Sequence, residues 1–190
     1  MIKIVGLGGS MSSTSSSLAA LRLALDSAAA AGAETQLLDV RALDLPLFVP
    51  GASGPESVRL LCRASQECDA MIWSSPMYHG TISGSFKNAL DWLELLGKQQ
   101  PPYLKDKVIG LIACSGGAQA MQAINAMEHS VRALHAWTLP TVVAIGRSMK
   151  TIETEEVRRR LDVLGREIVR AVRRFSPQVG ANEFRTQNAE

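Results

Sequence analysis

Runs of consecutive apolar residues alternate along the chain with segments whose apolar positions recur every three or four residues. This predicts a strand followed by a helix, five times over. Lys3 to Leu7 (KIVGL) reads as a buried first strand, and an alanine- and leucine-rich helix runs from the serines after it to about Ala31. Glu34 to Val40 (ETQLLDV) alternates apolar with polar as a shorter, outer second strand does, and Glu56 to Glu67 forms a helix with Val58, Leu61 and Cys62 inward. Ala70 to Ser74 is the third strand. Val108 to Cys114 (VIGLIAC) is continuously apolar, as a central parallel strand buried on both faces is. A helix from Ala118 to about His135 and a fifth strand at Thr141 to Ile145, entered through Pro140, follow. The last helix, Glu155 to Arg174, turns Val157, Leu161, Leu164, Ile168, Val169 and Val172 to the sheet. Residues 176–190 have no period and are expected to form a mobile tail to a single domain at 1–175.

The densest stretch is Ile72 to Leu93 (IWSSPMYHGTISGSFKNALDWL). Pro76 lacks a backbone donor and holds Ser75 extended, so the chain is expected to leave the sheet at Ser74 or Ser75. Ser83 is the best N-cap for the next helix, whose Phe86, Ala89, Leu90 and Leu93 share one face. Met77 to Ile82 is then a polar loop at the carboxyl end of a strand. Two other predicted strands end in comparable turns. After the first come Gly8 and Gly9 with Ser10, Ser12, Ser13, Thr14, Ser15, Ser16 and Ser17; after Cys114 come Ser115, Gly116 and Gly117. Open α/β sheets bind ligands at that edge, and three such turns converging make a site where one would be only a loop. Free amides at a helix start, with hydroxyls beside them, form a cradle for an anion, although serines in that position also serve as plain caps. The spacing is neither a dinucleotide fingerprint nor a Walker loop.

The composition agrees with a soluble globular protein: 46% hydrophobic, 20% charged, formal net charge +2 over 190 residues. Nothing in that balance points to nucleic acid or to a membrane surface. No run approaches the roughly 18 apolar residues of a spanning helix and no export signal is read, so a cytoplasmic location is expected. Cys62, Cys68 and Cys114 have no paired spacing, which argues against a disulfide framework or a zinc site, and no metal ligand is assigned. The arginines between Arg158 and Arg174 lack interleaved aromatics and read as a solvated helix face.

PMYHGTISGSFKNALDW resembles the signature of the NAD(P)H-dependent FMN reductases, flavodoxin-like enzymes that include azoreductases, quinone reductases and flavin reductases. Pro76, Tyr78, Gly80, Gly84, Lys87, Asn88 and Asp91 carry the likeness, which extends from residue 1 to about Gly146. It implies a three-layer αβα sandwich on a five-stranded parallel sheet of order 2-1-3-4-5. It also implies FMN, with NADPH or NADH as cosubstrate, in a cleft made by residues 9–17, 76–80 and 115–117. The FMN ligands it implies are Gly9, Ser10, Ser12, Ser15, Ser16, Ser17, Pro76, Met77, Tyr78, His79, Gly80, Ser115, Gly116 and Gly117. Where many members place arginine in the phosphate loop, this chain has Ser12. Hydride passes from the nicotinamide to FMN N5 and the electrons go on to free FMN, a quinone or an azo compound, with no acid or base residue required. His79 is a candidate proton donor, against a purely backbone role in its loop. The alternatives are a flavodoxin-like electron carrier or a non-catalytic flavin-binding protein. The resemblance also implies a homo-oligomer, dimer or tetramer. Tyr78, Trp92, Leu95 and Leu96 leave the helix after Ser83 apolar on a second side, which is expected to face another subunit.

Overall fold

Every residue of Val108–Cys114 is buried, and the other layers are built outward from this strand. The computed structural model describes residues 1–147 and 151–175; the expected tail at 176–190 lies outside them. The elements are β1 (Ile2–Gly8), α1 (Ser16–Ala30), β2 (Ala33–Asp39), the single turn α2 (Val40–Leu43), α3 (Glu56–Glu67), β3 (Ala70–Tyr78) and β4 (Thr81–Ile82). They continue with α4 (Gly84–Trp92) and a 3-10 turn at Leu93–Leu96, then β5 (Val108–Cys114), α5 (Met121–Ala133), β6 (Trp137–Ile145) and α6 (Glu155–Phe175). The strands lie in the order β2-β1-β3-β5-β6, all parallel, and β4 pairs antiparallel with the end of β3. With β4 set aside this is the expected order 2-1-3-4-5.

Alternate residues of each strand feed two cores. Val5, Leu7, Met71, Trp73, Ile109 and Leu111 pack under α3, α4 and α5. Ile4, Ile72, Val108, Ile112, Val143 and Ile145 pack under α1 and α6. Trp73 meets Phe86 edge to face at 5.8 Å, a geometry that adds about 1 kcal/mol to the area both bury. On the opposite side Gly165 lets α6 cross α1 closely: a Cβ there would stand 2.3 Å from the Ala24 carbonyl oxygen.

Two strands run past the expected bounds, each at a proline. Pairing of β3 with β1 ends at Ser74, so beyond that residue β3 has a neighbour on one side only. Pro76 then costs no ladder bond there, and β3 continues opposite Cys114 and into the hairpin with β4. The chain therefore does not leave the sheet at Ser75. On the edge strand β6, Leu139, Pro140 and Thr141 stand opposite Gly110 alone, and this bulge lets the strand begin at Trp137. The free edge of β6 is covered by its own chain: Arg160 donates to the Val142 and Ala144 carbonyls, and Thr141 donates to Glu167. The arginines of α6 are mostly engaged in this way. Arg166 pairs with Asp162, Arg170 with Glu167, and Arg173 closes the end of α1 by donating to the Ala31 carbonyl.

The second apolar side of α4 is covered internally, which removes the helix-stripe argument for a subunit contact. Residues 45–48 fold over it. Trp92 Nε1 donates to the Pro46 carbonyl (2.8 Å), Asn88 Nδ2 donates to the same oxygen (2.9 Å), and Asn88 Oδ1 accepts from the Phe48 amide (2.8 Å). Phe48 meets Trp92 edge-on at 5.2 Å. Trp92 and Leu96 are consequently buried, whereas Tyr78 is 55% exposed.

Candidate functional site

The turns after β1, β3 and β5 open at one edge of the sheet, and buried serines lock the first two together. The Gly9 amide donates to the Ser74 carbonyl (2.8 Å), and Ser74 Oγ donates to the Ser17 carbonyl (2.8 Å). Ser83 Oγ accepts from the Phe86 amide (3.1 Å), the cap expected of it, and also donates to the Gly9 carbonyl, as does Ser85 Oγ at 3.1 Å. Ser75 Oγ accepts from the Ser83 amide (3.1 Å) and donates to the Pro76 carbonyl (2.8 Å). Gly9 has a packing reason to be glycine, because a Cβ would meet the Phe86 ring at 2.5–2.7 Å.

Hydroxyls of the first loop are largely spent within the loop. Ser10 Oγ accepts from the Ser12 amide and Ser12 Oγ from the Thr14 amide, both at 3.2 Å. Ser15 Oγ caps α1 through the Leu18 amide (3.1 Å) and lies 3.0 Å from Ser17 Oγ. Ser10 and Ser17 are buried, Ser15 and Ser16 half-buried, and Ser12 exposed. The capping reading is thus realised, and it leaves the loop rigid at the positive end of α1.

Pro76 and Met77 are half-buried on the extended end of β3, and Tyr78 pairs with Thr81 across a two-residue turn. His79 (φ 49°) and Gly80 (φ 83°) are both left-handed, the conformation of a type I′ hairpin. His79 is exposed and its ring has no hydrogen-bond partner among the described residues. Its position is explained by the turn. Gly80 lies against the start of α5, where a Cβ would stand 3.1 Å from Gln122 Oε1.

In the third turn Ser115 is buried, its amide donating to the Ile145 carbonyl (3.0 Å) and its Oγ to the Gly117 carbonyl (2.8 Å). Gly116 and Gly117 are exposed, have no left-handed φ, and a Cβ on either would meet nothing within 4 Å. Neither conformation nor crowding by the chain itself calls for glycine at those two positions. The same edge carries exposed apolar side chains on all three turns or the elements they lead into: Met11 (56%), Tyr78 (55%) and Met121 (49%).

Sequence reasoning missed four contributors. Ser74 and Ser75 read in the sequence as an exit from the sheet, and no local pattern singles out Gln122. Arg147 (φ 53°) is held beside the third turn by its amide, which donates to the Gly117 carbonyl at 2.8 Å. Only its place just after a strand end could have marked it. The thiols take no part in an ionised form: burial pushes Cys62 and Cys68 up to about 11 and Cys114 to about 12.

The family model described as NADPH-dependent FMN reductase matches residues 2–150. NADPH-dependent FMN reductase ArsH of Rhizobium meliloti is 29% identical over 123 residues, 64% of this chain and 49% of that protein. FMN-dependent NADPH-azoreductase of Staphylococcus aureus is 34% identical over 89 residues, 47% of this chain and 44% of the relative. The chain therefore spans about half the length of these curated relatives. Among solved structures, the flavoenzyme NAD(P)H:(acceptor) oxidoreductase FerB of Paracoccus denitrificans superposes with a TM-score of 0.72 at 20% identity, covering 92% of this chain and 98% of its own. RosB superposes with a TM-score of 0.76 at 15% identity, covering 98% and 86%. At those identities the structures speak for the fold, a flavodoxin-like three-layer sandwich. The family match over most of the chain goes further, and on it the chain belongs to the NADPH-dependent FMN reductase family.

Proposed function

We propose that this protein is an FMN-dependent NAD(P)H oxidoreductase with its flavin seated across residues 9–17, 76–80 and 115–117. The observation that carries the reading is the pair Gly116 and Gly117, whose missing side chains leave open space at the turn after β5. A flat ring needs such a backbone surface, and a terminal phosphate needs the start of α1. Gly9, Ser10, Ser12, Ser15, Ser16 and Ser17 form the phosphate side. Pro76, Met77, Tyr78, His79 and Gly80 form the ring's inner support, and Ser115, Gly116 and Gly117 its outer edge. The buried serine bonds keep the first two segments in register, so that binding orders little new structure. When bound, FMN supplies hydride acceptance at N5 from a reduced nicotinamide and passes the electrons to free FMN, a quinone or an azo compound. Backbone amides of the hairpin and of the third turn are the groups available to stabilise developing negative charge.

His79 serves as a turn residue rather than as an acid, since its left-handed backbone explains its place. The relatives' names favour NADPH-linked turnover over a carrier role. A homo-oligomer remains part of the reading, resting now on Leu47 (81% exposed) and Val49 (58%), which flank the covered side of α4. The direct test is fluorescence titration of the flavin-free protein with FMN. Saturable quenching at one flavin per chain is expected; a protein that neither retains nor takes up FMN would sink the proposal.

A further inference from the structure

At the other end of the sheet from the three turns, a cavity of about 650 Å³ lies between the start of β6 and the last turns of α6. Its place follows from the bulge. Leu139, Pro140 and Thr141 stand opposite Gly110 alone, and a bulge of this kind bends the strand. Val108 and Leu139, 3% and 5% exposed, form a buried apolar floor, with Ala171 half-buried beside them. Trp137 (59% exposed) and Phe175 (67%) also line the cavity, so two aromatic side chains flank that floor. Trp137 borders a neighbouring cavity of about 790 Å³ as well, which makes the indole a wall with open space on both sides.

The polar groups of the lining suit an anion. Only Glu167 among the lining residues is acidic, and it is already occupied: Thr141 donates to it and Arg170 pairs with it at 3.0 Å. Arg174, one turn beyond Arg170, adds a second guanidinium, so the lining holds two cations against one carboxylate. A guanidinium fork binds a carboxylate or sulfonate through parallel hydrogen bonds, and flat rings pack on indole and phenyl faces or edges. An extended peptide fits less well, because the outer edge of β6 is closed to strand addition. Pro140 lacks a donor, and Arg160 takes the Val142 and Ala144 carbonyls. Val108 begins β5 and Cys114 ends it, which puts this cavity roughly 20 Å from the three turns at the extended-strand rise.

We infer that this cavity binds a flat aromatic carboxylate or sulfonate, its ring between Trp137 and Phe175 and its anionic group on Arg174, independently of the flavin site. Calorimetric titration of the full chain with naphthoate and with the neutral naphthylmethanol tests this, in flavin-free protein and again with FMN added. Naphthoate is expected to bind once per chain under both conditions, and more tightly than the alcohol by roughly tenfold, the worth of a charge-assisted hydrogen bond. Arg174→Gln is expected to bring that ratio toward one, and Arg174→Lys, which keeps the charge and loses the fork, to recover part of it. Trp137→Ala is expected to weaken both ligands alike, since it removes a ring and no charge. A protein that takes up no FMN yet binds naphthoate in this pattern would refute the flavin proposal and support this one. Failure of the parent to bind naphthoate, displacement of naphthoate by FMN, or binding left unchanged by either Arg174→Gln or Trp137→Ala would overturn it.

Discussion

Glycines at this edge have two different causes, and substitution separates them. Gly9 is crowded by Phe86, so Gly9→Ala forces the ring or the loop to move and is expected to cost about 1–3 kcal/mol of stability. Gly116 faces open space, so Gly116→Val is expected to leave stability within about 0.5 kcal/mol while weakening FMN binding at least tenfold. Chemical denaturation and flavin titration of both variants check this. A Gly116→Val protein that binds FMN like the parent would remove the main support for the flavin site. The glycines themselves were legible in the sequence as turn markers. Which one answered to packing and which to free space was not, because Phe86 lies 77 positions from Gly9 and local pattern carries no such distance.

At the scale of elements, the crossing of α1 and α6 depends on one residue. A Cβ at position 165 would meet the Ala24 carbonyl oxygen at 2.3 Å, Ser27 Cβ at 2.7 Å and the Ala28 amide nitrogen at 2.9 Å, mostly backbone that cannot rotate away. Gly165→Ala gains helix propensity of about 1 kcal/mol but forces the two helices apart. A net loss of about 1–3 kcal/mol is expected in urea unfolding, and a gain in stability would show the crossing to be slack. Alternation of apolar runs with helical periods located both helices and all five parallel strands, and α3 falls on its expected bounds of Glu56–Glu67. The reading failed at the prolines. Pro76 and Pro140 read in the sequence as strand boundaries, yet each sits inside a strand where one side lacks a partner. A proline's tolerance depends on what lies beside the strand, and that is a tertiary property. The apolar second side of α4 failed for the same reason, since the irregular segment 45–48 that covers it has no period to announce where it packs.

For the whole molecule, the fold alone does not separate an oxidoreductase from a carrier. No helix among the described residues is long and apolar enough to cross a membrane. Leu47 and Val49 are an exposed apolar pair beside the covered side of α4. A dimer or larger assembly is expected in light scattering at micromolar concentration, and replacing both with serine is expected to shift it toward monomer; a parent that is already monomeric would exclude the assembly. The central claim is flavin turnover by a reduced nicotinamide, and the most direct measurement is anaerobic mixing of the FMN-loaded protein with NADPH or NADH while the flavin absorbance is followed. Bleaching by at least one nucleotide, followed by recovery of the absorbance on adding a quinone, an azo dye or free FMN, is the predicted result. Flavin that stays oxidised with both nucleotides would contradict the account and place the protein among carriers.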